Sequence, residues 1–104
     1  MIEADVEGYL TRQVVAAGGE VRKVQWIGRN GAPDRLVLFP ARSEHHLVEL
    51  KRPGGKPEEH QKREHKRLRS AGFRVFVIDT KAQVDAFVAK FSKPHVNTCI
   101  GRKA

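Results

Sequence analysis

Cysteine is nearly absent from this chain: Cys99 is the single one among 104 residues. Without a second thiol there is no internal disulfide, so a disulfide scaffold and a four-cysteine zinc site are both excluded. Long runs of Ile, Leu, Val and Phe are missing as well, the longest being the four-residue stretches 36–39 and 75–78. A membrane span needs roughly 20 such residues, and the N-terminal segment holds no apolar core of the kind a signal peptide requires. The expectation is a soluble, cytoplasmic protein. Acid is scarce too: 12 Asp and Glu stand against 20 Lys and Arg, for a formal net charge of +8. A small domain that repels itself this strongly is matched to a polyanionic partner, of which nucleic acid is the commonest. No segment pairs a wide apolar face with a cationic one, which argues against a membrane surface. Interleaved aromatics of the kind common RNA binders use are also lacking.

What is present suffices for one core. Ile, Leu, Val and Phe total 27, above the fifth of the chain below which charged sequences usually stay disordered. Residues 2–17 read as a helix, because Val6, Leu10, Val14 and Ala17 recur at helical spacing and Gly18-Gly19 stops it. Three extended segments follow at 20–27, 34–39 and 46–51, separated by a Gly/Pro loop at 28–33 and a tighter turn at 40–44. A second helix is expected from Pro57 to Ala71, since proline suits the first helical position and Glu58 and Glu59 complement the helix dipole. Residues 73–79 form a fourth strand, apolar enough to be central. Thr80 and Gln83, spaced as a capping box, open a third helix whose buried face is Val84, Phe87, Val88 and Phe91. The order is αβββαβα: an α/β domain over residues 1–91 with a mixed sheet flanked by helices, then a polar tail at 92–104.

Two short motifs carry chemistry. Pro33-Asp34 opens the second strand and Glu49-Leu50-Lys51 closes the third. Alternation on a strand sends Glu49 and Lys51 to one face and Leu50 to the other. Pairing of these two strands would bring Asp34 beside Glu49. Two carboxylates next to a lysine suit a hard divalent cation, since Mg²⁺ takes one or two carboxylates and completes its shell with water and phosphate oxygens. Such a site fits phosphodiester hydrolysis, with Lys51 holding the attacking water or offsetting charge that builds on the phosphate.

Gly31-Ala-Pro-Asp34, then Val48-Glu-Leu-Lys51, then Pro53-Gly-Gly55 and Gln61 together resemble the VRR-NUC domain, a branch of the PD-(D/E)XK nuclease superfamily. The resemblance spans roughly residues 2–91 and implies a restriction-endonuclease-like core. It implies Asp34 and Glu49 as metal ligands with the Leu50 backbone carbonyl as a further one, Lys51 as the catalytic lysine, and Gln61 as a supporting residue from the following helix. Gln61 shares a helical face with Glu64, Leu68 and Ala71, so an inward direction is expected. The family also places an acid on the first helix; Glu3 is the first choice and Glu7 the second. The valine and two arginines that named the family are not evident as a triplet, Arg74-Val75 being the nearest echo.

The implied activity is a Mg²⁺- or Mn²⁺-dependent DNA endonuclease leaving 5′-phosphate and 3′-hydroxyl ends. Stand-alone members resemble Holliday junction resolvases, which implies branched DNA, a four-way junction above all, and a C2 homodimer. The alternatives are a monomeric flap or nicking endonuclease, an RNA-directed nuclease, and a non-catalytic DNA-binding module on the same fold. Residues 51–74 carry nine cationic side chains against three carboxylates. Lys62, Lys66 and Arg69 make an outward row with Arg63 and Arg67 beside it, and with Lys56 and Arg29 these are the candidate DNA contacts. The five histidines are expected on the same DNA-facing side rather than around zinc, because His60 and His65 are five apart. Trp26 is expected in the core or on a dimer surface.

Overall fold

The structure, a computed structural model, describes residues 3–28 and 30–91, with side chains from residue 5 onward. The order is α1 (Glu3–Ala16), β1 (Glu20–Lys23), β2 (Arg35–Phe39), a 3-10 turn (Pro40–Arg42), β3 (Glu44–Leu50), α2 (Glu59–Ser70), β4 (Val75–Ile78) and α3 (Lys81–Phe91). The four strands form one sheet in the order β1-β2-β3-β4, antiparallel between the first three and parallel between β3 and β4. This is the expected mixed α/β sheet with helices on its faces. The expected tail at 92–104 lies outside the described residues.

The periodicity of the sequence sorts the side chains onto two faces. The α1 stripe of Val6, Leu10 and Val14 is fully buried against Val37, Phe39, Val48, Leu50 and Ile78, together with Val84 and Phe87 of α3. On the opposite face Leu47 and Val75 meet Leu68 of α2, with Trp26, Ala32 and Leu36 packed around them. Trp26 is thus half-buried packing, and its indole N–H donates to the Pro33 carbonyl at 2.7 Å.

Several boundaries differ from the sequence expectation, each for a local reason. The first strand stops at Lys23 rather than 27: Val24 still donates to the Asp34 carbonyl at 2.9 Å, but Trp26 then turns under the sheet. The third strand starts two residues early, at Glu44, because Ser43 reverses the chain in the left-handed region (φ 56°, ψ 42°). The second helix begins at Glu59 rather than Pro57, since Glu58 and Gln61 close a reciprocal capping box at that point. The fourth strand is an edge strand, not a central one. Its apolarity comes from cover on both faces, with Val75 beside Leu68 and Ile78 in the α1/α3 cluster. At α3 the Thr80 hydroxyl accepts the Gln83 N–H at 3.1 Å, while the Gln83 side chain reaches one residue further back, to the Asp79 N–H at 2.6 Å.

Candidate active site

The register of β2 against β3 is the geometric centre of the site. Arg35 pairs with Val48 and Leu36 with Leu47, so the next position along the antiparallel pair sets Asp34 across from Glu49. Glu49 follows Leu47 by two residues, on the face that carries Leu36, Leu47 and α2. Two turns hold the approach. Gly31 adopts φ +84°, and a Cβ there would lie 3.0 Å from the His60 ring and 3.1 Å from the Gln61 Cα. The loop before Asp34 is therefore pressed against the first turn of α2, and only glycine permits both the dihedral and the approach. After β3, the Gly54 N–H donates to Asp79 at 2.9 Å, and the Lys51 N–H donates to the Ile78 carbonyl at 2.9 Å. The glycines of the two motifs thus bring the ends of β2, β3 and β4 and the start of α2 to one place.

Charges at the site are held in pairs. Asp34 is exposed, and its Oδ1 lies 2.9 Å from Nη1 of the buried Arg35, whose Nη2 lies 2.7 Å from Glu7 Oε2 on α1. Lys23 Nζ is 3.9 Å from the same Glu7 oxygen. A polar cleft of about 350 Å³ opens here, lined by Lys23, Val24, Gln25, Asp34 and Arg35. Glu49 is buried, with Oε2 3.9 Å from Lys51 Nζ and Oε1 3.7 Å from His65 Nε2. Burial, then the charges of Arg69 and Lys51, lowers the His65 pKa from its usual value against the opposing pull of Glu64. Among the described residues no three His, Cys, Asp or Glu side chains converge as a ligand set.

The expected residues are brought together unevenly. Asp34, Glu49 and Lys51 share one end of the sheet, and Gln61 stands beside the Gly31 loop. Gln61 uses its Oε1 to accept the Glu58 N–H at 2.9 Å, so that oxygen closes the helix cap. Of its expected face, Glu64 and Leu68 are buried and Ala71 is exposed at the helix end. Glu7, the second choice on α1, reaches the site through Arg35, while the Glu3 side chain and Arg29 lie outside the described residues. Lys56, Lys62, Arg63, Lys66 and Arg67 are all exposed. Lys62 pairs with Glu59 at 3.3 Å and Arg67 with the buried Glu64 at 2.6 Å, whereas Arg69 donates to the Val75 carbonyl at 2.8 Å.

Two of the five histidines correct the sequence expectation of a shared DNA-facing side, while His45 and His60 are exposed and His95 lies outside the described residues. His46 and His65 are buried, at 0 % and 2 % exposure. His46 sits among Phe39, Phe76, Phe87 and Phe91, with ring centroids between 4.2 and 6.0 Å away. Arg35 escaped notice in the sequence, and His65 was expected to face DNA rather than Glu49. Arg35 could have been found as a charge at a strand position whose alternation with Val37 and Phe39 points it into the core. His65 could have been found as the residue between Gln61 and Leu68 on the inward helical row.

An α/β sheet that gathers two acids and a lysine at one end has the architecture of the PD-(D/E)XK-like nuclease core. The VRR-NUC domain family model matches residues 18–82. Among curated proteins, a relative described as "Putative nuclease p44", from Acyrthosiphon pisum secondary endosymbiont phage 1, is 42% identical over 79 residues, covering 76% of this chain and 84% of that protein. A solved structure described as "VRR_NUC domain" superposes with a TM-score of 0.77 at 42% identity, covering 86% of this chain and 96% of that one. The chain belongs to the VRR-NUC domain family, and it is a nuclease domain.

Proposed function

We propose that this protein is a divalent-metal-dependent DNA endonuclease, with Asp34, Glu49 and the Leu50 carbonyl as the cation's protein ligands. The observation that supports the reading is the β2–β3 register, which ends at Arg35–Val48 and leaves Asp34 and Glu49 as the next residues of the two segments, with Lys51 3.9 Å from Glu49. The donor chemistry fits a hard cation. Two carboxylates and a carbonyl with no thiol leave most of the coordination shell to water and phosphate, as Mg²⁺ or Mn²⁺ accepts. When bound, the cation supplies Lewis acidity at the phosphate and acidifies the attacking water.

The remaining work falls to side chains of this chain. Lys51 lies at the edge of the acidic pair, where its ammonium orients the water or offsets charge on the phosphate oxygens. Arg35, itself paired with Glu7, orients the Asp34 carboxylate that would hold the cation. Gln61, by capping α2, fixes that helix's first turn over the site. Arg63 and Lys66, exposed and without an ion pair among the described residues, present cations to a phosphate backbone together with Lys56, Lys62 and Arg67. Arg29 and Glu3 complete the proposed set.

The substrate we assign is branched DNA, cut by a homodimer. One chain carries one Asp34–Glu49 pair, and symmetrical cuts across a four-way junction require two. Among the described residues no helix is long and apolar enough to cross a membrane. The test is a gel assay on a labelled four-way junction, a flap and a matched duplex, with Mg²⁺, Mn²⁺ or EDTA, alongside Glu49→Ala. Paired nicks in the junction, lost with EDTA and in the variant, are expected. Cuts confined to the flap or duplex would replace the resolvase with a monomeric nicking enzyme, and binding with no cleavage would leave a DNA-binding module.

A further inference from the structure

We infer that His65 is a positioning residue of the nuclease site: its Nε2–H holds one oxygen of Glu49 and leaves the other to Lys51 and the cation. The inference rests on the metal-dependent reading above and assigns a role to a side chain that reading does not use. It begins with the geometry of α2. Leu68 packs over Leu47. One turn earlier on the helix and one face-step later on the strand, His65 lies over Glu49. The inward row Gln61, His65, Leu68 therefore descends from the helix cap, past the acid, into the small apolar cluster.

An apolar side chain would satisfy the packing at position 65. An imidazole there must be matched to a partner, because burying a polar group without one is unfavourable. The His65 ring is 2 % exposed, and its Nε2 makes no hydrogen bond among the described residues. Its nearest acid oxygen is Glu49 Oε1, at 3.7 Å, beyond the ordinary hydrogen-bond range of about 2.7–3.2 Å. The other oxygen, Oε2, faces Lys51 at 3.9 Å. A different cationic or N–H group thus stands near each oxygen of Glu49. A neutral imidazole has one N–H, and only the tautomer with hydrogen on Nε2 can donate to Glu49. Ligating carboxylates are ordinarily held by such outer hydrogen bonds, whose loss typically weakens metal binding about 10–100-fold.

The test compares wild type, His65→Phe and His65→Gln. Phenylalanine keeps the ring and the packing but cannot donate. Glutamine places an amide N–H near the lost Nε2. Mn²⁺ affinity is read from the free-ion EPR signal without DNA, and thermal melts by circular dichroism establish that each variant is folded. His65→Phe is expected to bind Mn²⁺ at least tenfold more weakly, and His65→Gln within about threefold of wild type, since its donor replaces the one lost. Independently of any variant, ¹⁵N spectra of the wild-type imidazole are expected to show the Nε2–H tautomer and a shift of that nitrogen on adding Mg²⁺. Equal Mn²⁺ affinity of wild type and a folded His65→Phe, or an Nδ1–H tautomer in the wild type, would overturn the inference. If wild type cleaves DNA with Mg²⁺ while His65→Phe binds Mn²⁺ unchanged, the positioning role alone falls. If wild type binds no divalent cation, the metal-dependent reading falls with it.

Discussion

Replacing His46 by leucine should make this protein more resistant to acid. The ring is fully buried among four phenylalanines, and both of its nitrogens lack a hydrogen bond among the described residues. Burial first, and the Arg74 charge second, lower its pKa from 6.5 to about 4, although Glu44, 3.5 Å from Nε2, pulls the other way. The folded-state value lies below the unfolded one, so the unfolded chain takes up the proton first. Stability contributed by the neutral ring is whole above pH 6.5 and is lost as pH falls towards 4. The loss from this one group amounts to about 2 kcal/mol at pH 5 and about 3 kcal/mol at pH 4. Leucine has a similar volume, no proton to gain and no orphaned nitrogen, each of which costs ~1–3 kcal/mol when buried. Lost ring contacts of ~0.5–1.5 kcal/mol offset part of that gain at pH 7. Urea unfolding of both proteins at pH 7, 6 and 5 isolates the effect, because His65, lowered in the same direction, is present in both. The stability difference should widen by about 2 kcal/mol between pH 7 and 5, a midpoint shift on the order of 1–2 M in urea. Parallel pH curves for the two proteins would refute the reasoning.

Asp34→Asn should abolish cleavage while DNA binding persists or tightens, because a carboxylate that repels phosphate is removed; filter binding in EDTA separates the two, and joint loss would count against a ligand role. Arg63→Ala with Lys66→Ala should weaken binding at every sequence and lower the slope of log affinity against log salt by about 1.8, the value for two phosphate contacts; an unchanged slope would move the DNA face away from α2. Gly31→Ala combines φ +84° with a Cβ 3.0 Å from His60 and 3.1 Å from the Gln61 backbone, so it should cost ~1–3 kcal/mol in strain and reduce nuclease activity more than stability. A melt and a cleavage rate measured on the same preparation test that difference. Arg35→Met should raise the mobility of Asp34 and strand Glu7 without its 2.7 Å partner; lower thermal stability together with weaker Mn²⁺ binding is expected, and an unchanged melt would show that the Glu7–Arg35 pair is not structural.

Periodicity and turn chemistry alone determined the element order. Val6, Leu10 and Val14 could only be a buried helical stripe, and Gly18-Gly19 could only end it. That Asp34, Glu49 and Lys51 lie at one end of the sheet was legible because alternation on a strand is local and the short turn between the second and third strands leaves few registers. Tertiary structure decided what local rules cannot reach. The fourth strand lies at an edge because it pairs with β3 alone among the described strands, and an apolar strand covered by helices on both faces reads the same at an edge as in the centre. Whether a histidine faces DNA or the core depends on what lies across from it. His46 meets phenylalanines from two strands and a helix, and His65 meets an acid separated from it by a loop and a turn of helix. Arg35 is decided in the same way. Its charge suggests a surface, but the sheet turns it towards α1, where Glu7 supplies the counter-charge that permits burial. Sequence spacing sets which residues share a face, and only packing of one face upon another sets what each of them touches.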